Sequence, residues 1–173
     1  MSSFPPEPLR DIVGEVAALL KERGETVSVA ETVAGGLISS TLLSVPGASG
    51  YYQGGLTLYT LPSRLAYAGW TDANLQNYTG PTPEIVVGMA EHTRKTLGST
   101  YCVSESGTAG PTGGKTRNRT PGYVALAVVW EGGKMTREVE TGSNDRKGNM
   151  VRFAEEGLRL LRDVLKSKGG RKL

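Results

Sequence analysis

TVSVAETVAGGLISSTLL, residues 26–43, is the stretch whose reading decides the fold. Val27 and Val29 alternate with Thr26, Ser28 and Ala30 as a short strand does, Gly35 and Gly36 permit a tight turn, and the pattern from Leu37 to Ser44 is helical. A helix N-terminus presents unpaired N–H groups and a positive dipole end. An anion or a developing oxyanion can therefore be held there, beside the Glu31 and Thr32 side chains. The same residues also describe a plain βα corner without a ligand, so the rest of the chain has to decide between the two.

Upstream, Leu9, Ile12, Val13, Val16, Leu19 and Leu20 recur at helical spacing and Gly24 is a natural stop. Downstream, Pro46 and Gly47 close the helix after the glycines, and Gly54 to Thr60 reads as a strand with Leu56, Leu58 and Thr60 on one face and Tyr59 on the other. One or two short helices are expected over 62–79. Thr82, Pro83 and Glu84 supply an N-cap, a first-turn proline and a dipole-compensating acid for a helix whose apolar stripe is Ile85, Val86, Met89, Ala90 and Leu97. Ser99 to Ser106 reads as a strand entering the glycine-rich loop 107–114. Tyr123–Trp130 and Met135–Thr141 read as a hairpin turning at Gly132 and Gly133. Ser143 or Asn144 is placed to cap a last helix with the stripe Met150, Phe153, Ala154, Gly157, Leu158, Leu161 and Leu165. Helices alternating with strands early and a hairpin late predict an α/β fold: a mixed sheet with helices on its faces.

The bulk composition excludes several classes. At 173 residues, with 38% hydrophobic residues and 24 glycines, the chain suits one turn-rich domain able to bury a core. No apolar run approaches the ~20 residues of a membrane span, and the N-terminal MSSFPPEPLRD lacks the layout of a signal peptide, so a cytoplasmic protein without a membrane partner is expected. Cys102 lies in an apolar run and reads as a buried structural thiol, and His92 is the sole histidine. A His/Cys metal site is therefore not expected. Net charge is +3, much of it in a tail, Lys166, Lys168, Arg171 and Lys172, that reads as frayed and solvated, which gives no footprint for nucleic acid. A homodimer is an ordinary outcome for such a domain.

Residues 109–116, AGPTGGKT, come within one residue of a Walker A phosphate loop. They carry Ala109 where that loop needs glycine, and a loop follows Lys115 where a helix should begin. The segments ETVAGG (31–36), PGAS (46–49), LYTLPSR (58–64), SGTAGP (106–111) and SNDR (143–146) together resemble, in the same order, the ESCTGG, PGSS, TYSNEAK, SGIAGP and GDR segments of the CinA C-terminal domain family. The resemblance runs from about residue 9 to 165.

This resemblance implies a single three-layer α/β/α domain that hydrolyses the carboxamide of nicotinamide mononucleotide to nicotinate mononucleotide and ammonia, with no metal or other cofactor and a small-molecule ribonucleotide as substrate. It places the family's nucleophilic serine at Thr32, its tyrosine at Tyr59, its lysine at Arg64, its small hydroxyl residue at Ser106 and its arginine at Arg146. Glu31, Gly35, Gly36, Ser106, Gly107 and Arg146 become the expected substrate-binding set, and Thr32, Tyr59 and Arg64 the catalytic one. Two positions depart from the family. A threonine hydroxyl can attack, although its methyl stiffens χ1. A guanidinium stays protonated at any working pH, so Arg64 cannot serve as the base that a Ser/Lys mechanism requires. Thr32, Val33, Ala34 and Arg64 thus favour a relative that only binds a nucleotide or a protein, whereas Tyr59, Ser106, Gly107 and Arg146 favour an amidohydrolase.

Overall fold

The computed structural model describes residues 3–169. Its strands, β1 (Val27–Glu31), β2 (Tyr52–Thr57), β3 (Tyr101–Thr108), β4 (Tyr123–Trp130) and β5 (Gly133–Glu140), form one sheet in the order β2-β1-β3-β4-β5. β1 pairs in parallel with β2 and β3, and the β3–β4 and β4–β5 pairs are antiparallel, which gives the expected mixed sheet. Helices α1 (Glu7–Arg23), α2 (Leu37–Leu43) and α6 (Arg146–Gly169) cover one face. Helix α5 (Pro83–Leu97) covers the other, with the short α3 (Leu61–Tyr67) and α4 (Asp72–Gln76) beside it.

Strand alternation distributes the core between these faces. Val27, Val29, Val103, Val124, Leu126 and Val128 point to the α1/α2/α6 layer, where they meet Leu9, Val16, Leu20, Phe153, Leu158 and Leu161. Burying each such side chain contributes about 1.5–3 kcal/mol, which is what holds that layer down. The face toward α5 is lined by small groups, Ala30, Cys102, Ala125 and Ala127, and alternation brings Ser28, Ser104 and Ser106 there as well. Cys102 is buried as expected, and burial pushes its thiol up to about 12, so it stays unreactive.

Several element ends differ from the sequence reading, each because a tertiary partner decides. β2 covers 52–57 rather than 54–60: its ladder to β1 ends at the Glu31–Thr57 pair, after which Thr60 caps α3 by accepting the Ser63 N–H at 3.3 Å. β3 covers 101–108 rather than 99–106, so Ser106 and Gly107 lie inside the strand, paired with Ala125 and Val124 of β4. In the hairpin Gly133 pairs with Trp130, and a side chain there would collide with the indole, so the turn falls at residues 131–132. Helix α6 begins at Arg146, two residues beyond Asn144 and three beyond Ser143, the proposed caps. The expected fraying of the basic tail is overturned over 166–169. Those residues continue α6, Lys166 pairs with Glu15 at 2.8 Å, and the Lys168 ammonium lies 4.7 Å from the Trp130 ring. Arg171 and Lys172 lie outside the described residues.

Gly107 shows how tightly β3, β4 and α6 close together. A Cβ there would stand 2.5 Å from the Tyr123 carbonyl oxygen and 3.0 Å from the Phe153 ring. Since a ladder carbonyl cannot move aside, Gly107→Ala should lower stability by about 2–3 kcal/mol, read as a lower denaturant midpoint at unchanged m-value.

Candidate active site at the carboxyl ends of the parallel strands

The carboxyl ends of β1, β2, β3 and β5 lie along one edge of the sheet, so the turns after them become neighbours. After β1 the chain turns through Gly35 and Gly36, both at positive φ (68° and 95°), into α2. Glu31 braces this turn. Its buried carboxylate accepts the Ile38 and Ser39 N–H groups, each at 3.1 Å, and the Gly36 N–H also bears on it. Burial raises the Glu31 pKa and these N–H bonds oppose the rise. The N-terminal amides of α2, which the sequence offered to an anion, are thereby engaged by the chain's own carboxylate. The Gly35 N–H donates to the Thr32 carbonyl at 3.2 Å.

Thr32 itself is gripped by β3. Its Oγ1 donates to Ser106 Oγ at 3.2 Å, and its backbone N–H donates to Glu105 Oε2 at 3.1 Å. The same carboxylate oxygen accepts the Ala34 N–H at 2.9 Å. Glu105 stands opposite Glu31 in the parallel ladder, and both are buried. Burial pushes the Glu105 carboxyl up to about 7. The Ala34 N–H bond opposes that shift, the neighbouring Glu31 adds to it, and the Thr32 N–H bond and the Arg64 charge lower it. Glu105 Oε1 is buried without a hydrogen-bond partner. Thr32 and Ser106 are only 2% and 1% exposed, which makes them a sealed hydroxyl pair.

Leu58, tied to β1 by its N–H to the Glu31 carbonyl at 2.9 Å, delivers Tyr59 beside this turn. Arg146, the first residue of α6, donates from Nη2 to the Tyr59 hydroxyl at 3.1 Å and from Nη1 to the Gly110 carbonyl at 3.0 Å. A cation opening a helix opposes the helix dipole, and these two bonds are its compensation. Asn149, one turn later, fixes the surrounding loops: Nδ2 donates to the Ala109 and Ser143 carbonyls, both at 2.8 Å, and Oδ1 accepts from Thr141 at 2.6 Å. The loop after β3 is thus fastened to α6, and Tyr59 is joined to both.

Arg64 is 4% exposed, and its guanidinium carbon lies 5.3 Å from the centroids of both Trp70 and Tyr78, which pack on each other at 5.8 Å. Its Nε and Nη1 are buried without acceptors. Trp70 and Tyr78 also wall a cleft of about 490 Å³ between α3–α4 and α5, and Tyr78 joins it to a cleft of about 330 Å³ lined by Gly107, Thr108, Gly113, Gly114 and Arg119. Unpaired buried N–H groups each cost about 1–3 kcal/mol, against about 2 kcal/mol returned by each desolvated cation–π contact. Arg64→Met should therefore leave thermal stability unchanged or raise it by about 1–2 kcal/mol. An arginine retained for structure would show a loss instead.

Of the residues singled out in the sequence, Glu31, Thr32, Gly35, Gly36, Tyr59, Ser106, Gly107 and Arg146 share this edge, and Arg64 lies on the α5 side over the aromatic pair. Lys134 sits near the hairpin at the opposite edge of the sheet, and Lys115 and Lys147 are exposed. Sequence reasoning missed Glu105, Asn149, Trp70 and Tyr78. A charged residue inside the otherwise buried run 101–106 was the available signal for Glu105. Among the described residues no group of three or more His, Cys, Asp or Glu side chains is arranged to hold a metal ion, and no helix is long and apolar enough to cross a membrane.

The fold and this edge define a three-layer α/β/α domain with a strand–turn–helix corner between β1 and α2. Residues 9–165 match the family model described as the CinA C-terminal domain, and the chain belongs to that family. It is 36% identical over 163 residues to a CinA-like protein of Chlorobium phaeobacteroides (strain BS1), covering 92% of this chain and 38% of the relative. Another CinA-like protein, from Shewanella amazonensis, is 36% identical over 138 residues, covering 80% of this chain and 32% of the relative. The chain spans about a third of the length of these curated relatives. Among solved structures, the competence/damage inducible protein CihA of Agrobacterium tumefaciens superposes with a TM-score of 0.86 at 24% identity, covering 96% of this chain and 99% of that one. A CinA superfamily protein of Klebsiella pneumoniae superposes with a TM-score of 0.85 at 19% identity, covering 92% and 98%. At these identities the structural matches carry the fold alone.

Proposed function

We propose that this domain hydrolyses the carboxamide of nicotinamide mononucleotide, or of a related pyridine ribotide, to the carboxylate and ammonia, a step of pyridine nucleotide salvage. The observation that carries this reading is the Thr32–Ser106 hydroxyl pair at 3.2 Å, on the edge that also holds Tyr59, Arg146 and the glycine loop. As Thr32 Oγ forms a bond to the amide carbon, its proton passes to Ser106 Oγ, and the Ser106 proton passes to the departing nitrogen, which leaves as ammonia. Water then attacks the Thr32 ester by the reverse relay, releasing the carboxylate and restoring both hydroxyls. Arg146 and the amides of the glycine loop hold the phosphate, with Tyr59 beside them, and Arg64 stabilises negative charge. A two-hydroxyl relay has no strong base, so turnover should be slow: a missing general base typically costs ~10²- to 10⁴-fold.

The sealed Thr32 and the arginine in place of a base support a second reading, in which the same pocket binds a nucleotide without turning it over. Ammonia release from nicotinamide mononucleotide by wild type and Thr32→Ala separates the two. A hydrolase loses release in the variant while calorimetry still shows ligand binding. Equal background rates in both proteins leave the binding reading alone.

A further inference from the structure

We propose that Glu105 is the positioning residue for Thr32, so that β3 holds the threonine by two handles: the backbone through the Glu105 carboxylate and the hydroxyl through Ser106. This rests on the reading of Thr32 as the nucleophile. The two handles are consecutive residues of one strand, and alternation sends them to opposite faces of the sheet. Ser106 Oγ lies 3.2 Å from Thr32 Oγ1, while Glu105 Oε2 reaches the Thr32 N–H at 3.1 Å and the Ala34 N–H at 2.9 Å. The corner that aims Thr32 therefore does not depend on local turn bonds alone; it is fastened to a neighbouring strand.

The carboxylate is built to act through its charge. Oε2 already accepts two N–H groups, so the neutral acid must carry its proton on Oε1, which has no partner. Ionisation strengthens both amide bonds, because hydrogen bonds to a charged acceptor are shorter and roughly twice as strong as neutral ones. The charged groups that bear on Glu105 are the Glu31 carboxyl on β1 and the Arg64 guanidinium on α3. The β4 residue opposite it is the apolar Leu126. With the carboxyl titrating near neutrality, its two amide bonds to the Thr32 turn strengthen as pH rises through that range, while ionising a buried carboxyl costs the fold stability as a whole.

The test follows ammonia release from nicotinamide mononucleotide and backbone amide exchange over 27–36, from pH 5.5 to 9, in the full chain, Glu105→Gln and Glu105→Ala. Wild type should gain kcat about tenfold through neutral pH at nearly constant KM, with exchange protection at Thr32 and Ala34 rising in parallel relative to that at Val27 to Ala30. Glu105→Gln, which keeps an accepting oxygen, should rescue protection but show a flat pH dependence. Glu105→Ala should lose roughly 10²-fold in kcat rather than KM, as expected for a displaced nucleophile, and lose protection at Thr32 and Ala34 while Val27 to Ala30 stay protected. An unaltered pH dependence in Glu105→Gln, or unchanged protection at Thr32 and Ala34 in Glu105→Ala, overturns the proposal. A wild type that releases no ammonia sinks the hydrolase reading only. The exchange data still decide the role of Glu105, and Glu105→Gln decides it where the alanine variant does not fold.

Discussion

The Thr32→Ser, Arg64→Lys double variant should release ammonia from nicotinamide mononucleotide roughly 10²- to 10⁴-fold faster than wild type, the span that an added general base supplies. Serine removes a methyl that restricts χ1 in a corner where Thr32 is 2% exposed and already committed to Ser106. Lysine at 64 replaces a group that cannot surrender a proton with an amine that can, and burial over Trp70 and Tyr78 lowers an amine's pKa toward the working range. The single Arg64→Lys change should account for most of the gain, since hydroxyl identity alters attack less than the absence of a base does. A double variant no faster than wild type would mean that the pocket departs from a hydrolase beyond these two positions.

Glu105→Gln should change how stability depends on pH. The folded-state pKa of Glu105 is raised to about 7, above the ~4.3 of an unfolded glutamate, so between those values the native state binds the extra proton. Its stabilising contribution is complete below the unfolded pKa and is lost as pH rises through about 7, a change of roughly 3 kcal/mol at 1.36 kcal/mol per unit. Glutamine does not titrate and keeps an oxygen for the Thr32 and Ala34 N–H groups. Relative to wild type, the variant should therefore gain roughly 3 kcal/mol in unfolding free energy between pH 5 and pH 8. Any pH-independent offset from its buried amide cancels in that difference. Parallel curves for the two proteins would place the titration elsewhere.

Much of the fold was legible because local chemistry and tertiary packing agree. Thr82 caps α5 by accepting the Ile85 N–H at 3.3 Å, Gly24 ends α1 in the left-handed region, and the apolar stripes of α1, α5 and α6 face the sheet as their spacing indicated. Arg146, which the family resemblance marked, opens α6 against its dipole and donates to Gly110 and Tyr59. Strand limits were less legible, since the ends of β2 and β3 are set by ladders to β1 and β4 that no local propensity encodes. Glu105 escaped notice because the amides it holds, Thr32 and Ala34, lie more than 70 residues away in the chain. The Arg64–Trp70–Tyr78 packing was hidden for a related reason. The three side chains meet only after α3 and α4 fold over the sheet, and nothing in their spacing marks them as neighbours.

The central claim is that Thr32 Oγ is the attacking atom, and its most direct measurement is peptide mass mapping of acid-quenched reactions with nicotinamide mononucleotide, run beside Thr32→Val. Valine matches threonine in shape and lacks only the hydroxyl. The expected result is a nicotinate-ribotide ester on the peptide containing Thr32 in wild type, with adduct and ammonia release both lost in the variant. Ammonia release undiminished in Thr32→Val would contradict the account.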